Sequence, residues 1–400
     1  MAGPATEESE RDAGAAADRG GMFRSLRVRN YRLYAGGQIV ATTGMWMQRV
    51  AIDWLVLNLS QSGTVLGLVT MLQFGPTLVL GPFGGLLADR VSKRKLQICT
   101  NAGVSACATV LGILELSGWV RLWQVIVVAA CLGVISAIDA PGRQSFVVEM
   151  VGPGDLQNAV ALNSAIFNSG RLLGPSIGGA VIAGVGTGWA FMGNSLFTLA
   201  AIAALLLMRS GELAEAPLVE RGKGQLREGA RYVAAHRSIW ATIALAGVVG
   251  VFGMNLQLIC AMMAKQVFHG GATTYARLST ALAVGAFVGA LAAARRAGRP
   301  SVRRLARLAL VFGAGEIVLG LMPNVIATGA AMIVVGFFMI TLMTSANAAV
   351  QLGIAPMMRG RVMAIYMMCS MGGSSLGGPV VGHVAQVYGA RTAVIAGGIA

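Results

Sequence analysis

Charged side chains are scarce in this 400-residue chain: Asp, Glu, Lys and Arg make up 12% of it, against 56% hydrophobic residues. A soluble domain of that composition could not cover its surface with polar groups, which excludes a soluble enzyme and leaves a polytopic membrane protein. Acidic residues are scarcer still, 16 against 31 Lys and Arg, for a net charge of +15. In a soluble chain that excess would suggest nucleic acid. Here the basic residues sit in short connections between apolar runs, so no nucleic-acid partner is expected. Histidine is nearly absent, and His236, His269 and His383 stand isolated. No Ser/His/Asp set, metal cluster or G-x-x-x-x-G-K-[ST] phosphate loop can be assembled, so no enzyme, metal or cofactor is expected and any work must draw on a gradient. The five cysteines, Cys99, Cys107, Cys131, Cys260 and Cys369, fall in apolar runs without ligand-like spacing and read as small buried hydrophobes. The first 30 residues lack the apolar core of a cleaved signal peptide.

What the chain has in abundance is apolar sequence. Runs of about 15 to 25 residues lie at roughly 33–59, 64–88, 96–117, 123–140, 157–184, 187–208, 239–263, 275–294, 305–322, 324–345 and 361–387, with a last from about 390. Lipid offers backbone polar groups no partners outside a helix, so the expected fold is an all-α polytopic membrane protein of twelve transmembrane helices in two pseudo-symmetric halves. The domains follow: a disordered cytoplasmic tail (1–30), a six-helix bundle (31–208), a cytoplasmic central loop (209–237) and a second six-helix bundle (238–400). The chain stops about eleven residues into the last run, too few for a bilayer of about 30 Å, so the twelfth helix is expected to be truncated. In the central loop, QLREGARYVAAHR alternates apolar and basic positions at helical spacing. It reads either as a helix on the inner leaflet or as a solvated linker helix.

Assigning alternate connections to opposite sides collects the basic residues on one side. The amino tail through Arg32, residues 90–95, Arg143, the central loop, residues 295–307 and the pair Arg359 and Arg361 fall together, against Arg121, Lys265, Arg277 and Arg391 opposite. By the positive-inside rule, the amino terminus and central loop are cytoplasmic, in a cell (inner) membrane. The halves also carry an internal repeat. A shift of 204 residues lays Gly85 on Gly289, Gly174-Pro175 on Gly378-Pro379 and Gly178 on Gly382, while Ala293 falls opposite Asp89.

Two motifs stand out. Residues 84–95, GGLLADRVSKRK, end one apolar run at Asp89 and pass through a tight basic loop into the next. Gly81, Gly84, Gly85 and Ala88 would let that helix approach a neighbour closely. Residues 170–179 read GRLLGPSIGG, in which Gly170, Gly174, Gly178 and Gly179 clear helix faces for close packing and Pro175 removes a backbone donor and kinks the helix.

The first motif resembles the loop between the second and third helices of major facilitator superfamily transporters, matching at Gly85, Leu87, Ala88, Asp89, Arg90, Lys93, Arg94 and Lys95, with Ser92 where the family usually has Gly. The resemblance implies a gating latch between the halves at Gly85, Asp89, Arg90 and Arg94. The second resembles the fifth-helix motif of the superfamily's antiporters at Gly170, Gly174, Pro175, Gly178 and Gly179, implying export against protons; a plain packing kink would leave the same trace. Residues 158–179 and the central loop resemble the enterobactin exporter and macrolide efflux branch. Carriers of this kind usually work as monomers, with the substrate between the halves.

Ionisable residues inside apolar runs are few and each needs a reason. Arg49 and Asp53, four apart, share a helix face and can pair, either as a structural pair or as a proton switch. Glu316 has no basic partner in its own run and is the second proton-coupling candidate, with a structural cavity-facing Glu as the alternative. Asp139 and Arg143 lie four apart at the end of the fourth run. Arg171, beside the glycine motif, is either a member of a charge network with them or an anchor for an anionic substrate. Trp46, Asn163, Asn168, Asn255, Gln257 and Asn347 are candidates to line the substrate cavity. The function expected is a secondary active transporter that exports an amphipathic organic compound, a drug or siderophore-like metabolite, in exchange for protons. The alternatives are an importer of the same fold or a non-transporting membrane receptor.

Overall fold

The computed structural model describes residues 23–213, 225–294, 300–354 and 358–400. Its first half contains α1 (Arg29–Ser60), α2 (Gly63–Arg90) and α3 (Lys93–Leu116). The stretch Leu122–Val185 is helical except at Gly152, whose φ of 67° only glycine adopts freely; the part before it is α4 and the part after it α5. α6 is Thr187–Leu206. In the second half α7 occupies Arg237–Val267 in pieces, with a 3-10 turn at Gly253–Asn255 and a π turn at Met263–Val267. α8 (Ala272–Ala294), α9 (Val302–Leu321), α10 (Val325–Gly353), α11 (Arg359–Tyr388) and α12 (Ala390–Ile399) follow.

Among the described residues seven segments are long and apolar enough to cross a membrane, in α2, α3, α4, α6, α7, α8 and α10. α1 falls short because it carries Gln38, Thr42, Thr43, Gln48 and Asp53, all of them buried inside the protein. A helix surrounded by other helices can keep such groups where one surrounded by lipid could not.

The helices pair in two matching sets. In the first half α1 lies on α5 and α6, α2 on α4, and α3 on α6; in the second α7 lies on α11, α8 on α10, and α9 on α12. Between the halves α2 meets α11 and α5 meets α8, the exchange that a pseudo-two-fold axis demands. The packing corrects the repeat register by one residue. Gly170 and Gly174 meet α1, whereas Gly373 and Gly377 meet α7; Gly179 meets α8, whereas Gly382 meets α2. Gly174 therefore corresponds to Gly377 rather than Gly378. One residue turns a helix by about 100°, so the shift that aligns the Gly-Pro pairs misaligns the packing faces.

Two expected boundaries move. The fourth run continues as helix beyond residue 140, because Phe146, Val147 and Met150 bury against Tyr31 and Tyr34 of α1 and Leu205 and Met208. Arg143 thus lies on a helix, and the expected loop shrinks to the break at Gly152. The amino tail ends before residue 30: Arg24–Arg27 form a 3-10 turn, Arg24 pairs with Asp155 at 2.7 Å, and the buried Ser25 donates from its backbone to Asn158 Oδ1. Residues 1–22 of the expected tail lie outside the described residues. The helix Gln225–Ala235 docks on α11, with Glu228 paired to Arg361 at 2.6 Å and Gly229 against Arg361 and Ile365.

Candidate substrate and coupling site

The site is built on the contact between α1 and α5. Gly170, Gly174 and Gly178 recur every fourth residue and present one face, against Thr42, Trp46 and Met47 respectively. Helical φ and ψ continue through Pro175. Gly179, turned to the next face, meets Ala272 and Ala276 of α8, so the motif joins α5 to its own half and to the other.

Close packing against Gly174 fixes Trp46. Its ring lies edge-on to Phe167 at 5.9 Å, and the Arg171 guanidinium sits 5.7 Å from its centroid. One turn along α1 the Arg49 guanidinium lies 4.5 Å over the Phe74 ring of α2. Arg49 makes no ion pair with Asp53, and its buried Nε has no hydrogen-bond partner among the described residues. The expected Arg49–Asp53 pair is therefore absent here.

Asp53 is instead bonded across the halves. It is 2% exposed, and the Tyr275 hydroxyl of α8 donates to its Oδ2 at 2.8 Å. Gln257 Nε2 of α7 donates to Tyr275 at 2.9 Å and to Ser279 at 2.8 Å. Trp54 stacks on Tyr275 with centroids 6.2 Å apart, and Lys265 Nζ lies over the Trp54 ring, 5.6 Å from its centroid. Lys265 Nζ donates to Leu57 O at 2.8 Å and to Asn58 Oδ1 at 2.7 Å, covering the end of α1.

Every hydrogen bond between the halves, among the described residues, lies on this side, where α1 ends and α2 begins. Gly63 N donates to Gln386 Oε1 at 2.7 Å, Ser375 Oγ to Met71 O at 3.3 Å, and the Ser176 and Thr280 hydroxyls share a 2.7 Å bond. Gly67 meets Gly378, and Gly63 meets Gly382, backbone to backbone.

The other expected residues divide. Glu316 is buried between α9 and α12, beside Gly397 and Gly398, within the second half. Asp139 pairs with Arg143 at 3.3 Å and accepts from Gln97 and Thr100 at 2.8 and 2.7 Å, but Arg171 does not join them. Arg94 donates to Leu205 O and Leu206 O at 2.8 Å, capping α6 inside the first half, while Arg90 is exposed. The surroundings of Gly85 and the side chain of Asp89 lie outside what the structure describes. Gly84 packs on Ala137 and Ile138 of α4, and Gly81 meets nothing. Asn255 is buried, tying the break in α7 to Ser374 O of α11, so it lines no cavity. Gln257 is spent on Tyr275 and Ser279. Asn168 donates to Ser164 O and Asn347 accepts from Gln351, both within their own helices; Asn163 is half-buried. Sequence reasoning missed Tyr275, Ser279 and Lys265. The usable signal was the Tyr275 hydroxyl, since a buried tyrosine needs a partner for it.

Two helix bundles that meet face to face, with ionisable side chains held between them, define a membrane carrier. Consistent with that class, the family described as transmembrane secretion effector, within the major facilitator superfamily, matches residues 21–400, and the chain belongs to it. It is a multi-pass membrane transport protein for small molecules and not an enzyme. The chain is 25% identical over 368 residues to the multidrug efflux pump Tap of Mycolicibacterium fortuitum, covering 90% of each protein. It is 23% identical over 356 residues to the Staphyloferrin A transporter of Staphylococcus aureus, covering 86% of this chain and 87% of that one. A bacterial homologue of the human lysosomal transporter Spinster, crystallised inward-facing and unoccupied, shares the fold with a TM-score of 0.72 at 16% identity, over 92% of this chain and 94% of that one.

Proposed function

We propose that this carrier works as a monomer in the cell (inner) membrane and exports an amphipathic organic compound, a drug or siderophore-like metabolite, in exchange for protons. Twelve helices lie in the bilayer, the ten-residue α12 being too short to cross a core of about 30 Å, with the amino terminus and the central loop in the cytoplasm. Basic residues cluster at the ends of α2 and α10 and in the central loop, which supports that orientation. On that orientation the hydrogen bonds from Lys265 and Gln386 to α1 and α2 lie toward the outer side.

The hydrogen bond from Tyr275 to Asp53 carries the reading. Closing the outer side buries Asp53 between the halves without a cation in contact. A neutral carboxyl bonded to Tyr275 is at ease there, whereas a carboxylate is costly. Protonation from outside therefore favours outer closure, and loss of the proton to the cytoplasm favours outer opening. Rocking of the halves in step with that proton moves the substrate out. The relatives named above include an efflux pump, which agrees with the direction. Glu316, inside the second half, is assigned a structural role, and the latch residues Asp89, Arg90 and Arg94 are assigned to the alternate state, in which the cytoplasmic side closes.

The test is efflux of amphipathic fluorescent dyes from preloaded cells expressing the protein, with and without a protonophore. Protonophore-sensitive efflux is expected. Dye retention identical to cells without the protein, across cationic, neutral and anionic dyes, would count against export.

A further inference from the structure

Arg49 and Arg171 are the two basic residues inside the first half's core, and neither has an acid to itself. Arg49 reaches toward α2 and Arg171 toward α1, yet both flank one short piece of α1, since Trp46 and Arg49 are neighbours at helical spacing. Each lies within the electrostatic reach of the other. The described carboxylates of the first half are engaged elsewhere: Asp53 with Tyr275, Glu115 with Thr187, Asp139 with Arg143 and Thr100, Glu149 with Lys93 and Asp155 with Arg24. Beside the two guanidiniums the indole Nε1 of Trp46 is buried without an acceptor among the described residues, as is Arg49 Nε. The cluster therefore offers donors only. Around it Phe74 and Phe167 are 37% and 40% exposed, so part of each side chain is uncovered by protein.

We infer that Arg49 and Arg171 form a subsite for a carboxylate of the substrate, and that the exported compound is an amphipathic organic anion whose apolar body lies on Trp46, Phe74 and Phe167. Guanidinium forks match a carboxylate's two oxygens, and the rings supply the apolar contact. The inference rests on the export reading for its direction, but the chemistry of the subsite stands apart from it. Arg49 then has two alternative partners. With Asp53 neutral and bonded to Tyr275, Arg49 is free for the substrate; with Asp53 ionised and released, the partner four residues away competes for it.

The experiment uses the purified full chain in detergent, with carboxyfluorescein as the anionic probe and ethidium as the cationic one, read by fluorescence anisotropy with no gradient present. Wild type is expected to bind carboxyfluorescein in preference to ethidium. Arg49→Gln and Arg171→Gln should each weaken that binding by about tenfold or more, and Arg171→Lys, which keeps the charge, by less. Asp53→Asn should bind at least as tightly as wild type. Absent binding by wild type, or equal affinity among wild type and the Gln and Lys variants, would overturn the inference. Failure of proton coupling would leave this result untouched. Conversely, gradient-driven efflux of ethidium by a protein that ignores carboxyfluorescein would sink the anion subsite and leave the export reading standing.

Discussion

Tyr275 and Asp53 are 222 residues apart in sequence and belong to different halves, yet the tyrosine hydroxyl donates to the carboxyl at 2.8 Å in an interior that both share. That bond makes the protonation state of one side chain a property of the contact between the halves. Tyr275→Phe should keep the stacking on Trp54 but lose the bond, at a cost of about 1 kcal/mol to outer closure, or roughly fivefold in the ratio of closed to open states. Labelling of a cysteine placed at Thr64 by an impermeant maleimide, in a background without the five native cysteines, measures that ratio. Unchanged labelling would show that the bond does not hold the halves.

Substituting the glycines of α5 should separate two effects that one motif combines. A side chain at Gly179 collides with Ala276 of the other half, so Gly179→Leu is expected to push the outer side open and raise maleimide labelling at the same reporter. A side chain at Gly170 meets Thr42 of its own half, so Gly170→Leu is expected to lower the thermal unfolding temperature without favouring either face. The reverse pattern would contradict the packing.

Lys265 ties the two halves together through Leu57 O and Asn58 Oδ1, at what the proposed orientation makes the outer rim. Lys265→Met should weaken outer closure by about 1 kcal/mol, the scale of a half-exposed charge-assisted hydrogen bond, and raise outer labelling accordingly. A distance between spin labels on the outer ends of α1 and α7 gives an independent reading. No change in that distance distribution would deny Lys265 a part in closure.

Arg94 spends its fork on the last carbonyls of α6, where a cation also meets the negative end of the helix. Arg94→Ala should cost on the order of 1 to 2 kcal/mol of stability, and Arg94→Lys should recover only part because one ammonium cannot reproduce the planar fork. Thermal unfolding of the purified variants checks this. Wild-type stability in Arg94→Ala would leave the capping contact without consequence.

Much of the fold was legible because lipid permits so few alternatives. The runs near 96–117 and 187–208 became α3 and α6 with ends shifted by only a few residues. The boundary at residue 140 was misplaced for a physical reason: Phe146 and Met150 continue α4 as a protein-covered helix after its membrane-like composition ends. The glycines of the fifth run announced close packing, but not against what. Only the structure separates Gly174, facing α1, from Gly179, facing α8. For the site, helical spacing allowed Arg49 and Asp53 to pair and could not reveal that Tyr275 takes Asp53 away. A contact between halves leaves no local periodicity. For Glu316 the sequence left a coupling group and a structural carboxyl both open, and the structure adds that its neighbours in α9 and α12 belong to one half.

The most direct test is gradient-driven dye efflux from proteoliposomes by wild type, Asp53→Asn and Glu316→Gln, paired with dye exchange at equal pH. Asp53→Asn should exchange dye while losing gradient-driven efflux by about tenfold or more, equivalent to ~1.4 kcal/mol or more of lost coupling, and Glu316→Gln should retain both. Protonophore-sensitive efflux by Asp53→Asn at the wild-type rate would contradict the account.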